Sequence, residues 1–228
     1  MDREESIALS YARTQYALPL ARPTAGGLSF HPVVNLLNVR YLLFRQQPPR
    51  ELSVILSGDG YWIAENRSAL PRVSVPRTVH VVNDDKQAAS KMKDFDFDPR
   101  DSAFVTDRLQ LPDTMRGQTS VRYETPTRAV IDVDMQTAGL VLLADLWDAG
   151  WRAQLDGAAC PTYRVDLALR GYQVPAGKHR ILCIYDPQSL HTGLYAAAVG
   201  GTVLLLWVIW KGRGILRNQR ATNADSGL

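Results

Sequence analysis

The chain has 228 residues, of which 46% are hydrophobic, with 26 basic and 23 acidic side chains and two cysteines. Two cysteines are too few for a disulfide scaffold, and the spacing of Cys160 and Cys183 fits no metal motif; they can pair if neighbouring strands bring them together, and are otherwise two small hydrophobes in a sheet. The positive excess lies after residue 210, where Lys211, Arg213, Arg217 and Arg220 face only Asp225; the preceding body carries 22 charges of each sign and gives no nucleic-acid signal.

In chain order, Met1 to Ala21 open with four charges in five residues and hold no apolar core of signal-peptide length, so residues 1–31 read as an irregular segment without an export signal. Pro32 to Leu37 predicts a short helix leading into a strand at Val39 to Phe44, and Gln46 to Arg50 a turn or linker. Tyr61 to Ala64, Arg72 to Val75 and Val79 to Val82 read as strands. Asp84 to Lys93 predicts a helix, with acids in its first turn and lysines in its last, as the helix dipole prefers.

The second half alternates as strands do. Gln118 to Thr125 and Arg128 to Met135 form a predicted pair, with Ile131, Val133 and Met135 on one face and Asp132 and Asp134 on the other. Gly139 to Leu146 is apolar on both faces and predicts a central strand. Trp151 to Leu155 and Ala158 to Tyr163 flank Asp156-Gly157, a strong hairpin signal because a type I′ turn needs positive φ at both corners. Leu169 to Val174 and Lys178 to Tyr185 flank Pro175-Ala176-Gly177, a second turn. These strands read as a meander of about seven, and strands this frequent predict an antiparallel β-sandwich over residues 32–188.

The uncharged run from Gly193 to Trp210 is 18 residues long, and at 1.5 Å per residue it covers about 27 Å, close to the thickness of a bilayer's hydrocarbon core. Extended by Ser189, His191 and Thr192, residues 189–210 predict one C-terminal transmembrane helix, with the lipid bilayer as partner; a buried core helix is the alternative. Tyr195, Trp207, Trp210, Lys211 and Arg213 are its expected membrane anchors. The basic tail, residues 211–228, is expected in the cytoplasm by the positive-inside tendency, which places the β-domain outside it. A lone C-terminal span without an export signal would leave that domain inside, so the chain reads as the end of a longer protein whose earlier spans export it.

Several residues invite a chemical reading. Trp147 and Trp151 with Asp145, Asp148 and Asp156 can form a glycan platform, since aromatic faces stack on pyranose rings and carboxylates accept hydroxyl hydrogens. The alternative is that the tryptophans plug the sandwich edge and the acids cap turns. Asp132 and Asp134 can hold a cation or act as an acid/base pair, or simply face water. His31, His80, His179 and His191 show no ligand spacing, so no metal site is expected. Asn66-Arg67-Ser68 is a formal glycosylation sequon, and Asp59-Gly60 is a lone turn rather than a phosphate loop, so no cofactor is expected.

The order of DLWDAGWRAQLDG, LRGYQVPAGKH and IYDPQSLHTGL between Leu143 and Leu194 resembles the C-terminal end of the YfhO-like family of bacterial polytopic membrane proteins. LLNVRYLL from Leu36 and ENRSALPRVSV from Glu65 are similar to upstream family pieces. Asp148-Ala149 departs from the family, which more often has Tyr or Phe and Pro there. The resemblance implies an accessory β-domain and last span of a protein similar to lipid-linked, GT-C-like sugar transferases acting on cell-envelope polymers. Its implied partners are a polyprenyl-phosphate-linked sugar or an envelope polymer, met through the parent protein. Family enzymes keep their catalytic acid near the first span, so no catalytic residue transfers to this chain, which alone is not expected to be an enzyme. The alternative is a non-enzymatic, membrane-anchored β-sandwich that binds envelope glycan or a protein partner.

Overall fold

A computed structural model describes residues 20–24, 27–45 and 54–225, and the chain divides into two units, one ending at Tyr185 and one starting at Asp186. The first unit begins with an antiparallel hairpin of β1 (Ala21–Thr24) and β2 (Gly27–Phe30), where the sequence reads as irregular. Helix α1 (Pro32–Leu36) follows, then β3 (Tyr41–Arg45), β4 (Leu56–Gly58) and β5 (Tyr61–Glu65), which form a sheet in the order β3-β5-β4. Next come β6 (Val73–Ser74), β7 (Thr78–Val81), helix α2 (Asp85–Met92) and β8 (Ser102–Val105). Eight strands complete the unit: β9 (Gly117–Thr125), β10 (Arg128–Met135), β11 (Gly139–Leu146), β12 (Trp151–Leu155), β13 (Ala158–Cys160), β14 (Tyr163–Val165), β15 (Leu169–Val174) and β16 (Gly177–Tyr185). The predicted turn at Gln46 to Arg50 and the segment before residue 20 lie outside the described residues.

The larger strands form a sandwich of two sheets, one ordered β13-β12-β16-β10-β9 and the other β6-β11-β15-β14-β8-β7. Pairing is antiparallel apart from the parallel β7–β8 pair. The shared core joins Ile131, Val133, Ala153, Ile181 and Cys183 of the first sheet to Val141, Leu143, Tyr172 and Val174 of the second. β11 is apolar on both faces for a visible reason: Val141 and Leu143 enter this core, while Leu140 and Leu142 enter another with Ala103, Met115 and Val165.

The segment from β9 to β16 is therefore not a single meander. The chain changes sheet after β10, β11, β13 and β15, which lets the apolar faces of successive strand pairs cover each other. The stretch Ala158 to Tyr163 reads as one strand but splits into β13 and β14, in different sheets, on either side of Pro161. A proline there has no N–H to donate to a ladder. The Asp156-Gly157 hairpin forms as expected, with φ of 52° and 88°. The turn at Pro175-Ala176-Gly177, with φ of 122° at Gly177, instead carries the chain from β15 in one sheet to β16 in the other and so closes no hairpin. Asp59-Gly60 is the corner between β4 and β5, with φ of 51° and 77°.

Local chemistry fixes the other elements. Asp84 caps α2 by accepting from the Gln87 N–H at 2.8 Å, and the Gln87 side chain accepts in turn from the Asn83 N–H at 2.8 Å. His31 is fully buried; its Nε2 donates to the Lys93 carbonyl at 3.0 Å, and its Nδ1 accepts from the Val33 N–H, pinning the start of α1 to the end of α2. Asn66 is also buried, donating to Asn35 Oδ1 at 2.8 Å and the Val39 carbonyl at 2.9 Å, so the sequon amide is committed to internal hydrogen bonds. Cys160 and Cys183 are both free: each pairs with Ala153, from opposite sides. Two strand spacings, about 9.6 Å, keep them beyond disulfide reach.

The second unit is helix α3 (Gln188–Asp225). Gln188–Lys211, 24 residues and roughly 36 Å of helix, is long and apolar enough to be a candidate membrane span. Side chains such as Leu194, Leu205 and Ile209 are exposed along it. Thr192 and Thr202 donate to the carbonyls of Gln188 and Ala198 one turn back, at 3.0 and 2.8 Å, which satisfies their hydroxyls within an apolar stretch. Tyr195, Trp207 and Trp210 are exposed, and Lys211 Nζ stands 5.7 Å from the centre of the Trp210 ring. Arg213 is in the same helix, which continues through most of the predicted tail; its side chain lies outside the described residues.

The turn geometry yields a direct expectation. A Cβ at Gly157 meets nothing within 4 Å, so Gly157→Val should cost only the backbone strain of positive φ. That strain is about 1–3 kcal/mol, read as a lowered midpoint in chemical unfolding of the detergent-solubilised chain. An unchanged midpoint would contradict the turn.

Candidate functional site

The aromatic and acidic residues after β11 surround a buried cation that the sequence reading did not single out. Arg170 on β15 is fully buried, because the strand's alternation turns Arg170, Tyr172 and Val174 to the same face. Its guanidinium lies 3.6 Å from the centre of the Trp151 ring, a stacked cation–π contact, and its Nη2 donates to Asp145 Oδ2. Asp145 Oδ2 also takes Arg72 Nη2 at 3.0 Å, and Arg72 reaches Glu124 on β9 at 2.5 Å. Among the described residues Arg170 Nε and Nη1 have no hydrogen-bond partner. Asp145 is therefore the counter-ion that makes burial of this cation tolerable.

Trp151 is half-buried, with Arg170 on one face, the Tyr185 ring 5.1 Å away and the sandwich core beneath. It closes this end of the core. Trp147 is also half-buried, and its indole N–H donates to the Thr162 carbonyl at 3.3 Å. Asp148 forms a local turn, accepting from the Gly150 N–H at 2.7 Å while its carbonyl takes the Trp151 N–H at 3.1 Å. The structure thus brings Asp145, Trp147, Asp148 and Trp151 to one end of the sandwich, and places Asp156 at the other end of β12. There Asp156 Oδ1 accepts from the Arg180 N–H at 2.8 Å, and Oδ2 pairs with His179 Nδ1 at 2.6 Å.

Asp156 joins a second cluster, on the outer face of the five-stranded sheet. A groove of about 630 Å³ runs there, with Asp132 and Asp134 in its floor. Asp132 Oδ1 accepts from Arg180 Nε at 2.9 Å and its Oδ2 from Arg122 Nε at 2.6 Å; Asp134 stands 3.9 Å from Lys178. The two arginines hold the Asp132 carboxyl below its usual range. The two aspartates share a face as the alternation predicts, but Asp132 is saturated by guanidinium groups. No group of three or more His, Cys, Asp or Glu suited to a metal ion occurs among the described residues.

Two further buried groups escaped the sequence reading. Asp166, at the turn between β14 and β15 with φ of 48°, accepts from the Phe104 N–H at 2.7 Å, and burial pushes its carboxyl up to about 7. Tyr172 is fully buried, and burial drives its hydroxyl well above its ordinary range and also raises the Cys183 thiol. Neither is placed to act on a solvent-borne substrate. The signal available for Arg170 was its two-residue spacing from Tyr172 and Val174.

Sheets and helix define the class: an antiparallel β-sandwich followed by one helix able to cross a membrane. No protein-family model, curated protein or solved structure matches the chain.

Two outcomes follow from these contacts. Trp151→Ala uncovers the core end and the buried Arg170, and should cost roughly 3 kcal/mol or more in chemical unfolding. A stable Trp151→Ala protein with weakened glycan binding would instead make this ring a binding platform. In the second cluster the Asp156 carboxylate raises the His179 pKa above its usual 6.5, while His179 lowers that of Asp156. The pair therefore stabilises the fold fully below the unfolded histidine value, and the contribution is lost as pH rises through the raised one; at the acid end it fades as Asp156 protonates. A histidine NMR titration should place His179 above 6.5, and Asp156→Asn should bring it back; an unmoved midpoint would refute the pairing.

Proposed function

We propose that this chain is the accessory β-domain and final span of a membrane protein related to the lipid-linked glycosyltransferases that build cell-envelope polymers, with the sandwich outside the cytoplasm. The carrying observation is the passage from β16, ending at Tyr185, to the candidate span starting at Gln188, with only two residues between them. Such a link tethers a preformed sandwich at a bilayer surface, and the ordered motifs from Leu143 to Leu194 agree with the YfhO-like arrangement. In this reading the reacting groups come from the parent protein, and Asp145, Trp151 and Arg170 shape the end of the sandwich rather than turn over substrate. The sugar donor reaches the parent protein as a polyprenyl-phosphate, and the sandwich meets the polymer.

The outer-face groove supports a second reading, in which the sandwich is a non-enzymatic, membrane-anchored glycan binder. Sequence encoded in frame ahead of Met1 separates the two: a series of apolar spans supports the first, and an immediate stop supports the second.

Placement is tested by labelling intact cells that express the full-length parent protein, in a Cys160→Ser, Cys183→Ala background, with a membrane-impermeant maleimide. Asp156→Cys at the exposed hairpin corner should react, and Ser226→Cys should react only after permeabilisation. The opposite pattern would overturn the extracytoplasmic placement.

A further inference from the structure

We propose that the outer groove of the five-stranded sheet is a binding site for an anionic glycan, with the guanidinium groups of Arg122 and Arg180 taking its carboxylate or phosphate. Asp132 sits on β10 between β9 and β16 and accepts one Nε–H from each arginine, at 2.6 and 2.9 Å. Both arginines spend only Nε on this carboxylate, and their Nη groups have no partner among the described residues. Those groups form a donor fork on either side of one fixed anchor, the geometry that recognises a carboxylate or phosphate.

Charge decides the sign of the ligand. Lys178 stands by Asp134 and His179 pairs with Asp156, whose charge also acts on Arg180, while Arg122 and Arg180 both bond Asp132. Two guanidinium groups meet one carboxylate in the triad. Over the whole groove Arg122, Arg180, Lys178 and a protonated His179 outnumber Asp132, Asp134 and Asp156 by one charge, so an acceptor-rich anion fits best while His179 is charged. Placement of Arg122 is itself specified by the fold. The β9–β10 register slips between Val130 and Ile131, pairing them with Tyr123 and Val121, so Arg122 is the extra residue of a β-bulge. A bulge re-aims a side chain at the expense of ladder pairing, and here it sets Arg122 beside Asp132 on the outer face.

The rest of the groove suits hydroxyl groups better than hydrocarbon. Ser120 and Gln118 on β9 lie opposite Asp132 and Asp134 in the register, giving donors and acceptors beside the arginine forks. A volume of about 630 Å³ is within the range of sites for ligands of a few rings. A bare anion would leave these groups to water, while an acidic oligosaccharide would engage both the charge and the hydroxyl partners. The glycan class rests on the envelope placement proposed above, whereas the anion geometry does not; labelling tests the first and titration the second.

The test is calorimetric titration of the full chain in non-ionic detergent with trigalacturonic acid, a neutral trisaccharide and inorganic phosphate. Trigalacturonic acid should bind at least about tenfold more tightly than the neutral trisaccharide, and more weakly as sodium chloride rises from about 50 to about 500 mM. Arg122→Gln or Arg180→Gln should each weaken it by about tenfold, as expected for loss of a charge-assisted hydrogen bond. Arg164→Gln, which removes an exposed partner of Asp85 on the other sheet, should leave it unchanged. Melting temperatures of all three variants should stay close to that of the parent, because exposed pairs contribute little to stability. Equal binding of acidic and neutral trisaccharides, no binding of either, or insensitivity to both arginine variants would overturn the assignment. Phosphate binding as tight as that of trigalacturonic acid would show an anion site without glycan recognition and would overturn it equally.

Discussion

Burial of the Arg170 guanidinium is the constraint around which the end of the sandwich is organised. A cation removed from water costs several kcal/mol unless it is paired, and at this site a single carboxylate supplies the pairing. Asp145 must therefore sit at the end of β11, and the chain that follows must return a flat ring over the same guanidinium. The Asp148 turn does this by reversing the backbone into β12, whose first residue is Trp151. Arg72 extends the network to Glu124, and Thr119 donates to the Val73 carbonyl at 2.9 Å, so β6 of one sheet is tied to β9 of the other. Loss of Asp145 would leave a buried charge uncompensated, a larger effect than loss of any exposed pair.

This arrangement changes what the tryptophan-rich segment means. Asp145, Trp147, Asp148, Trp151 and Asp156 are close in sequence, which invites a single-site reading. A five-residue strand separates Trp151 from Asp156, and at about 3.3 Å per residue it carries them some 17 Å apart. The near end becomes a structural lid, whereas the far end contributes to a polar groove whose other members come from β9, β10 and β16. Proximity along the chain and proximity in the fold are different properties in a sandwich, because each strand spans the domain.

Much of the architecture was legible because the physical signals were local. Alternation placed β10, β12 and β16, the double-faced apolar run placed β11, and Asp156-Gly157 fixed a hairpin through the φ values that its corners require. Acids at the start and lysines at the end of Asp84 to Lys93 announced α2 through the helix dipole, and the cap made by Asp84 and Gln87 became visible only in the structure. The short strands β4 and β8 were not legible: with three and four residues they carry too little periodicity, and β8 is selected by its neighbours β7 and β14. The same holds for the break at Pro161, where the missing N–H matters only once two sheets compete for the flanking residues.

By itself, the sequence determined the β-rich class, the hairpin corners, the acidic face of β10 and the apolar C-terminal helix, since each follows from the period of side chains along one element or from the conformational demands of one turn. Tertiary structure alone decided which strands share a sheet, that Ala153 keeps the two cysteines apart, that Arg170 is buried under Trp151, and that a bulge sets Arg122 beside Asp132. The physical reason is that charge compensation and sheet choice depend on residues from different strands, 10 positions apart for Arg122 and Asp132 and 52 for Arg72 and Glu124, meeting in space. Their energies belong to pairs and triads of side chains and leave no periodic trace in the chain.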